Sequence, residues 1–161
     1  MYYKCAVEKG FVDVATILCK AGADTNIQDH HSVGKNTPLH IASQQNKLEM
    51  CQILLQHGAN PNIQNKLGFS PLHLAAREGR EDIIKLLLSR GADGGIRDNF
   101  GNNASYWAKE GGFAGCVSLL PPVIKISMKE YYEHFSDLWS KHDIDPTKGK
   151  KKSKKGKKKK K

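Results

Sequence analysis

The chain has 161 residues and a formal net charge of +10, and most of that charge lies at one end. Residues 148–161 hold 11 of the 26 lysines and arginines and no acid, so the remainder, with 15 basic and 16 acidic residues, is nearly neutral. Charge therefore argues for nucleic-acid or membrane contact through this tail only. No secretory segment follows Met1, no apolar run reaches the roughly 18 residues of a spanning helix, and the four cysteines lie far apart. These features predict a reducing cytoplasmic or nuclear setting, or both.

Two short motifs recur along the chain with a period close to 33 residues. The run Thr37-Pro38-Leu39-His40 returns as Ser70-Pro71-Leu72-His73 and, in degraded form, as Asn103-Ala104-Ser105-Tyr106, each time 33 residues later. The triplet Gly-Ala-Asp/Asn begins at Gly22, Gly58 and Gly91, at spacings of 36 and 33. Such a period is typical of stacked units, none of which buries its apolar face alone.

The first motif contains the signals that start a short helix. Thr37 and Ser70 are suitable N-cap residues, whose hydroxyls can accept hydrogen bonds from unpaired backbone N–H groups. Pro38 and Pro71 follow at the first helical position, where a missing N–H costs nothing. Gly79 then ends the helix where a left-handed residue is needed.

The sequence Thr-Pro-Leu-His-x-Ala at this period resembles the ankyrin repeat, over residues 1 to about 120. The resemblance implies an all-α ankyrin-repeat solenoid of about four stacked helix–turn–helix repeats with projecting hairpin loops. It also implies that His40 and His73 hydrogen-bond backbone groups and join neighbouring repeats, so we assign them to structure and not to catalysis.

We predict three segments. They are the ankyrin repeats over 1–122 (truncated repeat 1, 1–28; repeat 2, 29–64; repeat 3, 65–97; degenerate capping repeat 4, 98–122), a C-terminal amphipathic helix over 123–142, and a disordered lysine-rich tail over 143–161.

Several stretches depart from the regular plan. Repeat 1 has no preceding hairpin and no polar cap, so we expect its outer face to be incompletely sealed and to fray. Three residues are inserted at the tip of the next hairpin, which is either a tolerated insertion or a partner contact. Trp107 takes the inward position held by Ile41 and Leu74, and we expect it in the core.

The C-terminal part leaves two alternatives open. A capping box at Ser127 starts an aromatic-rich helical face over 127–141, which either caps the stack or docks a partner. The tail that follows has no Arg and no aromatic residue, so its contact with polyanions would be weak and non-specific. It is a solubilising end, an import signal or a contact for acidic proteins or lipids. Ser153 within it is a candidate phosphorylation site.

The sequence contains no sign of catalysis, and we expect neither an enzyme nor a cofactor. His30 and His31 with His57 lack the partners and spacing of a metal site, so none is predicted. Cys19, Cys51 and Cys116 are expected to be small core residues, and Cys5 to be partly exposed.

We therefore predict a non-enzymatic protein–protein interaction module or adaptor, monomeric, that binds another protein of unknown identity. By the resemblance, partners meet the hairpin tips and the concave face formed by the first helices. The apolar members of this surface are expected to be exposed, with local packing as the alternative. The candidate residues are His30, His31, Gln44, Gln45, Lys66, Leu67, Phe69, Arg77, Glu78, Arg97, Asn99 and Phe100.

Two further hypotheses remain. The lysine tail could make the chain a charge-driven tethering or nuclear protein that binds nucleic acid, anionic membrane or acidic filaments. Asn26 and Asn62 resemble asparagines that are hydroxylated in ankyrin proteins, although Asn is also an ordinary turn residue.

Overall fold

The computed structural model describes residues 2–29 and 34–123, which belong to the compact unit Met1–Lys125. Three predicted features lie outside the described residues: the inserted tip with His30 and His31, the helix over 127–141, and the tail with Ser153. The described residues form eight helices and no strand. These are α1 (Tyr2–Lys9), α2 (Val12–Lys20), α3 (Pro38–Gln44), α4 (Leu48–Gln56), α5 (Pro71–Arg77), α6 (Glu81–Ser89), α7 (Ala104–Glu110) and α8 (Ala114–Leu119).

The helices form two stacked rows. The first helices α1, α3, α5 and α7 contact one another in that order, and the second helices α2, α4, α6 and α8 do the same. Each first helix also contacts the second helix of its own pair. The all-α solenoid of four helix pairs is therefore confirmed.

The predicted helix signals stand where the motif places them. Thr37 and Ser70 are extended N-cap residues followed by proline, and each forms a capping box with the histidine three residues later. Gly79 and, one repeat earlier, Asn46 adopt the left-handed conformation after their helices, with φ of 70° and 59°. A residue without that freedom would be strained there.

The core lies between the two rows and is continuous from pair to pair. Leu39 and Leu72 from the first helices meet Met50, Ile83 and Leu87 from the second helices, and all five are buried. Small residues such as Ala42 and Ala75 lie in the same cluster, where they permit close approach of neighbouring helices.

The outer side of α2 is apolar and exposed. Val14 is 45% exposed, whereas Met50, Ile83 and Cys116, at the equivalent positions of the other second helices, are fully buried. The preceding pair covers those three residues, and no described element covers this side of α2. Phe11 and Ile17 are also exposed.

Repeat 4 supplies the last pair of the described stack, α7 and α8. Asn103 replaces the Thr or Ser cap: its Oδ1 accepts the Tyr106 N–H at 3.1 Å, and its Nδ2 donates to the Pro122 carbonyl at 3.1 Å. The expectation that Trp107 is a core residue is wrong. Its ring is half-buried, because the indole reaches from α7 to the preceding loop, where Nε1 donates to Asp98 Oδ2 at 2.6 Å.

Candidate functional site

The loops that precede α3, α5 and α7 join edge to edge into one surface. The Lys66 N–H donates to the Gly34 carbonyl at 2.9 Å, and one repeat later the Asn99 N–H donates to the Leu67 carbonyl at 3.1 Å. Asn99 Nδ2 adds a bond to the Lys66 carbonyl at 2.9 Å. We call this surface, made of residues 34–36, 64–69 and 97–102, the hairpin ridge.

Polar side chains beneath the ridge hold each loop in shape. Asn65 Oδ1 accepts the N–H groups of Leu67 and Phe69 at 3.0 Å each. Asp98 Oδ1 does the same for Phe100 and Asn102 at 2.9 Å each. The loops are thus rigidly supported from below, which leaves the tip side chains free to face outward.

Gly68 allows the two hairpins to approach each other closely. Its φ is 78°, and a Cβ placed on it would lie 2.5 Å from the Asn99 nitrogen. Any side chain at this position would therefore both strain the backbone and separate the hairpins.

The ridge exposes two of the three apolar residues that the sequence nominates. Leu67 and Phe100 lie at equivalent positions of adjacent hairpins and are 46% and 55% exposed. For Phe69 the structure supports the alternative of local packing, because this side chain is only 4% exposed. Its ring packs edge-on against Trp107, with centroids 5.4 Å apart, and lies 5.9 Å from the ring of His73.

A cluster of aromatic and charged residues lies beside this buried phenylalanine, on the side of the first helices that the resemblance describes as concave. The Arg77 guanidinium lies 5.7 Å from the Phe69 ring centre and contacts Glu78 at 3.3 Å, and both charged side chains are about one-third exposed. Tyr106 and Trp107 pack edge to face, with centroids 5.5 Å apart. We call Phe69, Arg77, Glu78, Tyr106 and Trp107 the concave cluster.

Sequence reasoning missed Tyr106 and Trp107 as surface residues. In this repeat, Tyr106 stands where the other motifs have histidine and Trp107 where they have Ile41 or Leu74. The equivalent positions in α3 and α5 carry smaller side chains. Two adjacent large aromatic residues in α7 were therefore a signal that both rings could not be fully buried.

The remaining candidates divide between the two surfaces. The ridge brings together Lys66, Leu67, Arg97, Asn99 and Phe100, and all five are exposed. Gln44 in α3 occupies the position equivalent to Arg77 in α5, and Gln45 is equivalent to Glu78. Gln44 is half-buried and Gln45 is exposed.

The motif histidines connect consecutive repeats, as the resemblance implies. His40 Nδ1 accepts the Thr37 N–H at 3.2 Å and lies 2.7 Å from Thr37 Oγ1, so the ring proton belongs on Nε2, which donates to the Phe69 carbonyl at 2.8 Å. His73 makes the same contacts to Ser70 and to the Asn102 carbonyl. Burial lowers the pKa of His40 to about 4 and lowers the pKa of His73 as well. Both rings are therefore neutral supports at neutral pH.

Asn26 and Asn62 also connect repeats, through their side-chain amides. Asn26 Nδ2 donates to the Gly58 carbonyl at 3.3 Å while its Oδ1 accepts the Asn60 N–H at 2.7 Å. Asn62 makes the same pair of bonds one repeat later, to Gly91 and Asp93. Hydroxylation of these residues stays a prediction, and a 16 Da mass increase on either one in cellular protein would support it.

The described residues show neither a metal cluster nor a reactive thiol centre. Within them, no three His, Cys, Asp or Glu side chains are grouped to hold a metal ion. Cys19, Cys51 and Cys116 are buried free thiols, and Cys5 is exposed. Burial raises the pKa of Cys51 to about 11, which disfavours its thiolate. None of the helices in the described ranges is both long and apolar enough to cross a membrane.

The described residues form a scaffold of stacked helix pairs with a continuous surface of loops along it. The family model described as Ankyrin repeats (3 copies) matches residues 3–98, and the chain belongs to this family. Ankyrin repeats are generally protein-interaction modules and are typically non-enzymatic.

Two curated proteins show the range of proteins in which similar repeats occur. A 63-residue stretch, 39% of this chain, is 39% identical to part of the human 2-5A-dependent ribonuclease and covers 8% of it. A stretch of the same length is 38% identical to mouse protein phosphatase 1 regulatory subunit 12A and covers 6% of it. The chain thus matches less than a tenth of either relative.

Proposed function

We propose that the chain is a non-enzymatic adaptor that binds a protein partner through the hairpin ridge and the concave face. The concave cluster carries this proposal. It combines Trp, Tyr and Arg, the three residue types that most often dominate binding energy at protein interfaces. The Trp107 ring is held by Phe69 and Asp98, and the Tyr106 ring packs against Trp107, so little side-chain freedom remains to be lost on binding.

An affinity-capture experiment with the full chain tests the proposal. The variant Arg77→Ala with Tyr106→Ala removes two partly exposed side chains and leaves Phe69 in place. We expect this variant to lose partners that the wild type recovers, because it removes the charged and aromatic anchors together. Arg90→Ala, at an exposed position after α6, is the matched control and should recover every partner.

Unfolding curves of the variants accompany the capture experiment, so that lost binding is not mistaken for lost folding. Recovery of all partners by a folded double variant would contradict a role for the concave face. The proposal includes a monomeric state and a cytoplasmic or nuclear location, which sedimentation and imaging of the full chain test.

The lysine tail supports a second candidate function, charge-driven tethering. Its 11 lysines among residues 148–161 contrast with the nearly neutral remainder. A tail-neutral variant, in which these lysines are replaced by serine, distinguishes the two functions. A partner held by the repeats should persist in this variant and at high salt, whereas a polyanion held by the tail should be lost under both conditions.

A further inference from the structure

The exposed charges of the hairpin ridge all have the same sign. Lys35, Lys66 and Arg97 are exposed. Asp98 is the one acid in the ridge, and it is 3% exposed and accepts hydrogen bonds from two backbone N–H groups and the Trp107 indole. Asp29, at the base of the first hairpin, is half-buried and partnered. The ridge therefore presents a positive surface on a scaffold that is otherwise nearly neutral.

An apolar pair lies within this positive surface. Leu67 and Phe100 come from adjacent hairpins that are joined by the bond between the Asn99 N–H and the Leu67 carbonyl. Lys66 precedes Leu67, and Arg97 belongs to the hairpin of Phe100. Both apolar side chains lie on loops whose conformation is fixed by hydrogen bonds. The loops therefore cannot fold over to shield these side chains from water.

Cations around an exposed apolar pair are complementary to an acidic segment that carries large apolar side chains. The carboxylates of such a segment would meet Lys35, Lys66 and Arg97, while its apolar side chain would cover Leu67 and Phe100. A nucleic-acid strand fits less well, because Leu67 offers no ring on which a base could stack and the ridge has only three exposed cations.

We infer that the hairpin ridge binds an acidic segment of a partner protein, anchored by Leu, Phe or Trp. This inference rests on the proposed function and specifies the chemistry of the partner.

A selection from a random peptide library tests the inference. The bait is the full chain with the tail lysines replaced by serine, because the natural tail would itself capture acidic peptides. We expect the selected peptides to carry net negative charge together with Leu, Phe or Trp. Fluorescence anisotropy with a labelled selected peptide then measures the dissociation constant.

Ridge variants should weaken the binding of that peptide. We expect Phe100→Ser and Leu67→Ser each to raise the dissociation constant about tenfold, as is typical of interface anchors. Lys66→Glu with Arg97→Glu should raise it at least as much and should also reduce its salt dependence, because rim charges act mainly through screened attraction.

Matched controls are available in the first helix pair, which contributes no residue to the ridge. Phe11 is 56% exposed, almost the same as Phe100, and Lys9 and Lys20 are exposed like the ridge cations. Phe11→Ser, and Lys9→Glu with Lys20→Glu, should leave the dissociation constant within about twofold of the starting value, the range expected when no contact is changed.

Three results would overturn the inference and leave the proposed function intact. They are selection of neutral or basic peptides, unchanged binding to the folded ridge variants, and tighter binding of a single-stranded oligonucleotide of the same charge. If the library yields no binder and the capture experiment also recovers no partner, the proposed function fails together with the inference.

Discussion

Phe69 and Phe100 are the same residue type in adjacent parts of one surface, and the fold places them in opposite environments. Phe100 stands on a hairpin tip with more than half of its side chain exposed, while Phe69 lies beneath Arg77 and against Trp107. In the neighbouring hairpins, the positions equivalent to Phe69 are occupied by Asn36 and Asn102, and both asparagines are half-buried. For this reason, the pattern of the repeat alone places Phe69 at the surface.

Substitution of these two residues by alanine should have very different effects on stability. Phe69→Ala should lower the free energy of unfolding by about 3–5 kcal/mol, because it empties a packed aromatic site. Phe100→Ala should change it by no more than about 0.5 kcal/mol. Urea unfolding monitored by circular dichroism measures both, and equal losses would contradict the described burial.

His40 should make the stability of the protein depend on pH. Its pKa falls from 6.5 to about 4 in the folded chain, so between these values the unfolded chain binds more protons and stability falls as the pH falls. The loss from His40 should be about 2 kcal/mol between about pH 7 and about pH 5. The lowered pKa of His73 acts in the same direction.

Urea unfolding of the wild type and of His40→Gln at these two pH values isolates this contribution. The glutamine variant is expected to be less stable at both, but its loss on acidification should be smaller by about the same 2 kcal/mol. Equal losses in the two proteins would mean that His40 does not supply the pH dependence.

Equivalent residues of the second helices differ in burial, although these helices share one amphipathic pattern. Val14 in α2 and Ile83 in α6 hold equivalent positions, yet Val14 is exposed and Ile83 is fully buried. The amphipathic spacing is the same in both helices, so spacing predicts the helix but not the burial. Burial depends on whether a preceding pair is present.

Alanine substitutions at these equivalent positions should therefore differ in cost. Ile83→Ala should destabilise by about 2–5 kcal/mol, because it leaves a cavity in the core. Val14→Ala should cost less than about 0.5 kcal/mol, as at other surface positions. Thermal unfolding of the two variants checks the difference, and a large effect at Val14 would show that something covers that face.

The described helix pairs form a stack in which each pair is stabilised by its neighbours. The pair α5–α6 lies between α3–α4 and α7–α8, whereas α1–α2 has a described neighbour on one side. In such a chain, stability is approximately a sum of contributions from each repeat and each interface. The central repeats should therefore be the last to open.

Hydrogen exchange followed by mass spectrometry should show this gradient. Amides in α3 to α6 are expected to be the most protected, and those in α1 and α2 to exchange faster, because each central pair has two described interfaces and the first pair has one. Protection across residues 2–19 as strong as that of α5 and α6 would contradict the expected fraying.

The sequence by itself determined the repeat, its helices and the positions of the hairpins. These features depend on local signals, such as the Pro71 start and the Gly79 stop, and on a period that recurs within the chain. It also nominated Leu67, Phe69 and Phe100 as apolar surface residues, with local packing as the alternative.

Only the tertiary structure decided which apolar residues of the site are buried. Phe69 is buried because Trp107, from the next repeat, lies beside it, and Val14 is exposed because no described pair precedes it. Both outcomes depend on contacts between residues far apart in the chain. The structure likewise decided which ridge charges face water, since Asp98, the one acid of the ridge, is buried while Lys35, Lys66 and Arg97 are exposed.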